Sequence, residues 1–153
     1  MPVFVLDDNC LMTLKTCTHE KVVIKGLISE LRDVCTKVLH LAKALNYSND
    51  DIFAVHLAIE EATVNAVKHG NKRNADKAVT IEYEVTPEKI DVVVTDQGQG
   101  FDPNNLADPR CGENIYKTGG RGVLLMKSYM DTVEYNKTGN SVHMIKLNSR
   151  HTR

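Results

Sequence analysis

The chain has 153 residues, 42% of them hydrophobic, and a formal charge of -1 from 19 basic and 20 acidic residues. That length and apolar content suit one domain with its own core, and the even charge leaves no basic face for nucleic acid or an anionic membrane. No apolar run approaches a bilayer span, and the segment from Met1 to Asp7 lacks the basic start and long apolar stretch of a signal peptide, so a cytosolic chain is expected.

In chain order, residues 3–6 and 11–16 read as short apolar strands. Leu27, Ile28, Leu31, Val34, Cys35, Val38, Leu39, Ala42 and Leu45 then recur at spacings of one, three and four, which predicts an amphipathic helix. Asn46 to Asp51 breaks it, and Ser48 or Asn49 can cap a second helix whose acidic first turn suits the helix dipole and which ends near Gly70. Residues 79–85 alternate like a half-buried strand, Thr86 to Lys89 turns the chain, and residues 90–95 return as the partner strand, delivering Asp96 to the hairpin's end. Residues 101–118 are rich in Pro, Asn, Asp and Gly and longer than an ordinary connection, as a lid over a ligand would be. Gly119 to Gly122 opens a third helix over Val123 to Met130, and residues 132–136 and 141–147 close the chain as a second hairpin. With no internal repeat or linker, the expected fold is α+β, a layer of helices on an antiparallel sheet. Cys10, Cys17, Cys35 and Cys111 form no C-x-x-C pair and are read as small apolar or surface residues rather than a disulfide framework or zinc site.

Glu61 and Asn65, four residues apart on the second helix, stack on one face one turn apart. A carboxylate and a carboxamide so placed can hold a water beside a hard cation. Magnesium takes few protein oxygens, so Asn65 plus the phosphates of a nucleotide is a sensible ligand set, with Glu61 left to accept a proton. Ala58, Ala62 and Ala66 allow close approach along that side, and Glu60 points about 100° away. His69, one further turn along, either caps the helix end as a cation or touches phosphate. Asp96-Gln97-Gly98-Gln99-Gly100 follows a strand, where glycines let a base or phosphate approach the main chain. A carboxylate there can accept a hydrogen bond from an exocyclic amine, which adenine offers and guanine replaces with a carbonyl. The run Gly119-Gly120-Arg121-Gly122 before a helix presents backbone donors and a positive dipole end to phosphate, but no G-K-[ST] follows, and Gly98 to Gly100 opens a loop, which excludes the P-loop and Rossmann readings.

These motifs in this order resemble those of the GHKL ATPase superfamily, which includes gyrase, MutL, histidine kinases and heat-shock chaperone ATPases. Glu61-x-x-x-Asn65 is similar to its N box, Asp96-x-Gly98-x-Gly100 to its adenine box and Gly120-x-Gly122 to its phosphate-lid box. The short lid, the stretch from Glu61 to Lys72 and the endings Gly120 to Met126 and Met130 to Val133 most resemble the stand-alone bacterial anti-sigma factor serine/threonine kinases. The resemblance implies a two-layer α/β sandwich, with helices on one face of a mixed, mostly antiparallel sheet. It implies an ATPase domain over residues 11–148, with residues 1–10 an N-terminal extension and 149–153 a C-terminal tail.

By position it makes Glu61 the general base and Asn65 the magnesium ligand. Asp96 becomes the adenine contact, and Gly98, Gly100, Gly120 and Gly122 the backbone enclosing ATP. His69, Lys117, Thr118, Gly119 and Arg121 complete the candidate nucleotide contacts. Some members carry an arginine just before the lid glycines; Lys117 and Thr118 stand there in this chain, with Arg121 inside the box, and the two kinds of cation are not equivalent at phosphate. The partners implied are a sigma factor and a phosphoaccepting anti-anti-sigma (STAS-type) protein, with a homodimer as the family's habit. Two alternatives stand beside a kinase: a nucleotide-gated protein binder without phosphotransfer, and the catalytic half of a histidine kinase, for which His19-Glu20 is a faint acceptor-like signal with no dimerisation hairpin after it.

Overall fold

A computed structural model of the chain describes residues 17–26, 28–102 and 121–151. Its elements are β1 (Thr18–Ile24), α1 (Ile28–Ala44), α2 (Asn49–Asn65), β2 (Val79–Val85), β3 (Lys89–Asp96), α3 (Arg121–Tyr129), β4 (Thr132–Tyr135) and β5 (Ser141–Leu147), with a wide π turn, Ala66–Gly70, continuing α2. The strands form one sheet in the order β1-β2-β3-β5-β4, antiparallel at each of its four pairings.

The expected α+β sandwich follows from two periodicities. On β2 the buried residues Val79, Ile81, Tyr83 and Val85 alternate with half-buried Thr80, Glu82 and Glu84, and β3 repeats this with Ile90, Val92 and Val94. The helices supply the opposing stripes: Val34, Cys35, Val38 and Ala42 from α1, Val55, Ala58, Ile59 and Ala62 from α2, and Val123 and Met126 from α3. Each large aliphatic side chain removed from water contributes about 1.5–3 kcal/mol. One continuous core results, and the opposite sheet face mixes polar side chains with a few apolar ones such as Val23 and Leu147.

The connection between the first two helices forms as its residues dictate. Asn46 takes the left-handed conformation (φ 61°) that ends α1, a role Asn fills when Gly is absent. Two residues on, Ser48 caps α2: its side chain accepts from the Asp51 amide at 3.1 Å, while Asp51 accepts from the Ser48 amide at 3.3 Å.

The strands proposed at residues 3–6 and 11–16 lie outside the described residues, as does most of the 101–118 loop. Thr18–Ile24 is a strand that the sequence reading did not anticipate, because its inward-facing positions include a charged residue, Glu20, which hides the alternation. Glu20 is accommodated there by the Tyr83 hydroxyl, which donates to it at 2.7 Å. His19 and Glu20 thus sit in a strand, paired with Glu84 and Tyr83, and not on an acceptor helix.

At the end of the molecule away from the glycine motifs, Asp51 is only 3% exposed and gathers several donors. Ser149 donates to it through its amide (3.1 Å) and its hydroxyl (2.7 Å), and Lys146 stands 3.8 Å away. Burial alone would raise the Asp51 pKa, but the bonds from Ser149 and Ser48 outweigh it and the net shift is downward. A carboxyl whose folded-state pKa is depressed stabilises the fold above its unfolded value, about 4, and that stability drains away as pH falls through the lower folded value. Asp51→Asn should therefore be less stable than wild type by about 1–3 kcal/mol at pH 7, the worth of hydrogen bonds to a charged acceptor. Urea unfolding at stepped pH should show the gap closing toward pH 2, and a gap that stays constant would contradict this assignment.

Candidate functional site

The ends of α2, β3 and α3 converge at one edge of the sandwich. Asp96, the last residue of β3, is 9% exposed, and its carboxylate accepts the Gly98 amide at 2.7 Å. Burial raises its pKa, with the Gly98 bond and the charge of Lys77 pulling the other way. A side chain at Gly70 would strike the Asp96 carboxyl group, and one at Gly98 would strike the Gly70 carbonyl. Gly70 therefore packs on the Asp96 side chain and Gly98 on the Gly70 main chain, with no room for a Cβ at either glycine.

The second cluster lies further back along the same helix. A Cβ added at Gly122, the second residue of α3, would lie 2.5 Å from Glu61 Oε2 and 3.2 Å from Asn65 Nδ2. Glu61, Asn65 and the start of α3 are thus in contact, with both α2 side chains half-buried. At about 1.5 Å per residue, Asn65 lies roughly 6 Å beyond Glu61 along the helix axis, and Gly70 one π turn beyond Asn65. An extended nucleoside triphosphate can bridge that spacing, with its base at Asp96 and its phosphates at Glu61, Asn65 and the positive end of α3.

The other candidates distribute unevenly. His69 is exposed on the π turn and Arg121 is exposed at the start of α3. Gly100 has a positive φ of 74° and packs on the Thr138 carbonyl of the β4–β5 turn, so its conformation docks the loop root there. Gly139 (φ 73°) reciprocates against the Phe101 backbone, and the Phe101 ring meets Tyr135 edge to face at 5.0 Å. Lys117, Thr118, Gly119 and Gly120 lie outside the described residues.

Two supporting residues escaped the sequence reading. Asn71, 3% exposed just after the π turn, accepts the Gln97 amide at 2.8 Å and donates to the Ala78 carbonyl at 2.9 Å, while Gln97 accepts the Ala78 amide at 2.7 Å. This closed ring ties the end of α2 to the entry of β2 and the exit of β3. The π turn makes the reach possible, since the Asn71 amide bonds five residues back, to Ala66, at 2.7 Å. Asn140 meets Asp96 from the opposite side, and its only sequence signal was an Asn in a turn.

The donor set suits the groups implied for it. Among the described residues no three His, Cys, Asp or Glu side chains gather as a metal cluster. A single carboxamide beside a helix N-terminus is compatible with magnesium, which takes few protein oxygens and keeps several waters.

Residues 25–146 match the family model described as a histidine kinase-like ATPase domain, and the chain belongs to that family, within the GHKL superfamily. Members of the family bind ATP. The chain is 36% identical over 107 residues to Serine-protein kinase RsbW of Staphylococcus epidermidis, covering 65% of this chain and 67% of the relative. It is 32% identical over 120 residues to the protein of that name from Bacillus licheniformis, covering 72% and 73%. The Listeria innocua protein of that name is 33% identical over 113 residues, covering 69% and 72%. Among the described residues no helix is long and apolar enough to cross a membrane.

The Gly98–Gly70 contact is backbone against backbone and cannot be relieved by a side-chain rotation. Gly98→Ala should destabilise the fold by about 1–3 kcal/mol, the usual cost of overpacking, read from the urea midpoint. An unchanged midpoint would contradict the close packing.

Proposed function

We propose that this chain is an ATP-dependent protein serine/threonine kinase of the anti-sigma type. It would hold a sigma factor and phosphorylate a STAS-type anti-anti-sigma protein in a partner-switching system. The observation that carries this reading is the contact of Gly122 with both Glu61 and Asn65, which gathers a carboxylate, a carboxamide and a helix N-terminus at one point. Similarity to three proteins named serine-protein kinases favours transfer over the gated-binding alternative.

In this reading each residue has one task. ATP supplies the phosphoryl group, and a magnesium ion the charge that offsets its oxygens. Asn65 offers its amide oxygen to the ion. Glu61 accepts the proton of the incoming serine or threonine hydroxyl as its oxygen bonds to phosphorus and ADP departs. Amides at the start of α3 face the phosphates, the task that the resemblance also gives to Gly119 and Gly120. Asp96 accepts a hydrogen bond from the adenine amine, and Gly98 and Gly100 let the base and the loop root approach the main chain. Lys117, Thr118, Arg121 and His69 are the candidate polar contacts at the phosphate rim. Phosphoryl transfer demands mostly positioning and charge stabilisation, so one base, one ion and a closing lid suffice.

Transfer of labelled phosphate from ATP to an anti-anti-sigma partner tests the proposal. Glu61→Ala should lower the transfer rate by about 10²–10⁴-fold, the range for loss of a general base, while MgATP is still bound. Gly122→Ala should leave α3 intact, because Ala favours helix by about 1 kcal/mol over Gly, yet impair transfer by crowding Glu61. Undiminished transfer in Glu61→Ala would remove the base from the mechanism.

A further inference from the structure

Beyond β3 the ladder runs out. Asp96 is the last residue paired to β2, opposite Val79. Among the described residues the next peptide, between Asp96 and Gln97, has no strand partner, yet both of its polar groups are satisfied by side chains. Its carbonyl accepts from Asn140 Nδ2 at 3.1 Å, and its N–H donates to Asn71 Oδ1 at 2.8 Å. The preceding Asp96 amide donates to the Asn140 carbonyl at 2.9 Å.

We infer that Asn71 and Asn140 are positioning residues for base selection: two carboxamides from separate elements grip the Asp96–Gln97 peptide and thereby aim the Asp96 carboxylate. The inference rests on the proposed adenine contact of Asp96 and adds what enforces it. Only two side-chain torsions separate that peptide from the carboxylate oxygens, so holding the peptide fixes the point from which the acceptor swings. The remaining freedom is restrained by the Gly98 amide, which holds Asp96 Oδ1 at 2.7 Å.

Neither carboxamide is free to turn. Asn71 is buried, and its amino group is held by the Ala78 carbonyl at 2.9 Å. Asn140 Oδ1 accepts from Asn136 Nδ2 and from the Thr138 hydroxyl, both at 2.7 Å, which leaves its amino group only the Asp96 direction. Donor and acceptor ends are thus assigned by their partners in both residues. A site that orients a hydrogen-bond acceptor for a substrate N–H discriminates against an analogue lacking it, because the buried acceptor is then left unpaired.

The test compares MgATP with the magnesium complex of purine riboside triphosphate, which lacks only the 6-amino group, by calorimetry on the full chain. Wild type should prefer ATP. Asn140→Ala and Asn71→Ala should reduce that preference by roughly five- to tenfold, the worth of about one hydrogen bond, through weaker ATP binding with the analogue changed less than twofold. Asn140 lies on a half-exposed turn, so its variant decides the matter if Asn71→Ala, in a buried ring, fails to fold. Parallel weakening of both nucleotides would mark a general structural role and overturn the inference, as would an intact preference. Asp96→Ala locates the failure. If wild type discriminates and Asp96→Ala does not, an intact preference in the Asn variants refutes only the aiming. If wild type binds both nucleotides alike, the base contact itself is refuted and the inference falls with it.

Discussion

The site depends on the absence of two side chains where the end of the second helix meets the end of the third strand. Gly98 packs on the Gly70 carbonyl and Gly70 on the Asp96 carboxyl group, so the helix and the strand end approach as closely as their backbones allow. Everything else follows from that approach. It sets Asp96 beside the helix that carries Glu61 and Asn65, and it leaves the start of α3 to close the far side through Gly122. A methyl group at Gly98 would push the helix from the strand and separate the two clusters that one ligand must span.

The remainder of the fold holds this edge in place. The antiparallel sheet delivers β3 between β2 and β5, so Asp96 is flanked by the entry of one strand and the turn before another. Asn71 and Asn140 come from those two flanks. At the opposite end Asp51 binds the start of α2 to Ser149 beyond β5 and so anchors the helix there.

Much of this was legible in the residues. The alternation of Val79 to Val85 and of residues 90–95, and the three- and four-residue spacing from Leu27 to Leu45, placed a hairpin and a helix where they occur. The Glu61 and Asn65 pair was legible because a helix turns a four-residue spacing into a shared face. The strand at Thr18–Ile24 was hidden by Glu20, an inward-facing carboxylate made tolerable by partners further along the chain, Tyr83 and Lys37. Asn71 and Asn140 were hidden for a related reason. A turn asparagine has the same local appearance whether it faces water or holds a distant peptide, and only the tertiary fold brings Gln97 and Asp96 to them. Gly100 was noted as a ligand-facing glycine, yet its positive φ already has a reason in the Thr138 contact.

The central claim is a single nucleotide pocket running from Asp96 to Glu61 along one helix. Backbone amide NMR during a MgATP titration tests it most directly. Saturable shifts at Gly70, Gly98, Asn65 and Gly122, all fitting one dissociation constant, are the predicted result. Saturable shifts confined to another part of the sandwich, with these four amides unmoved, would contradict it.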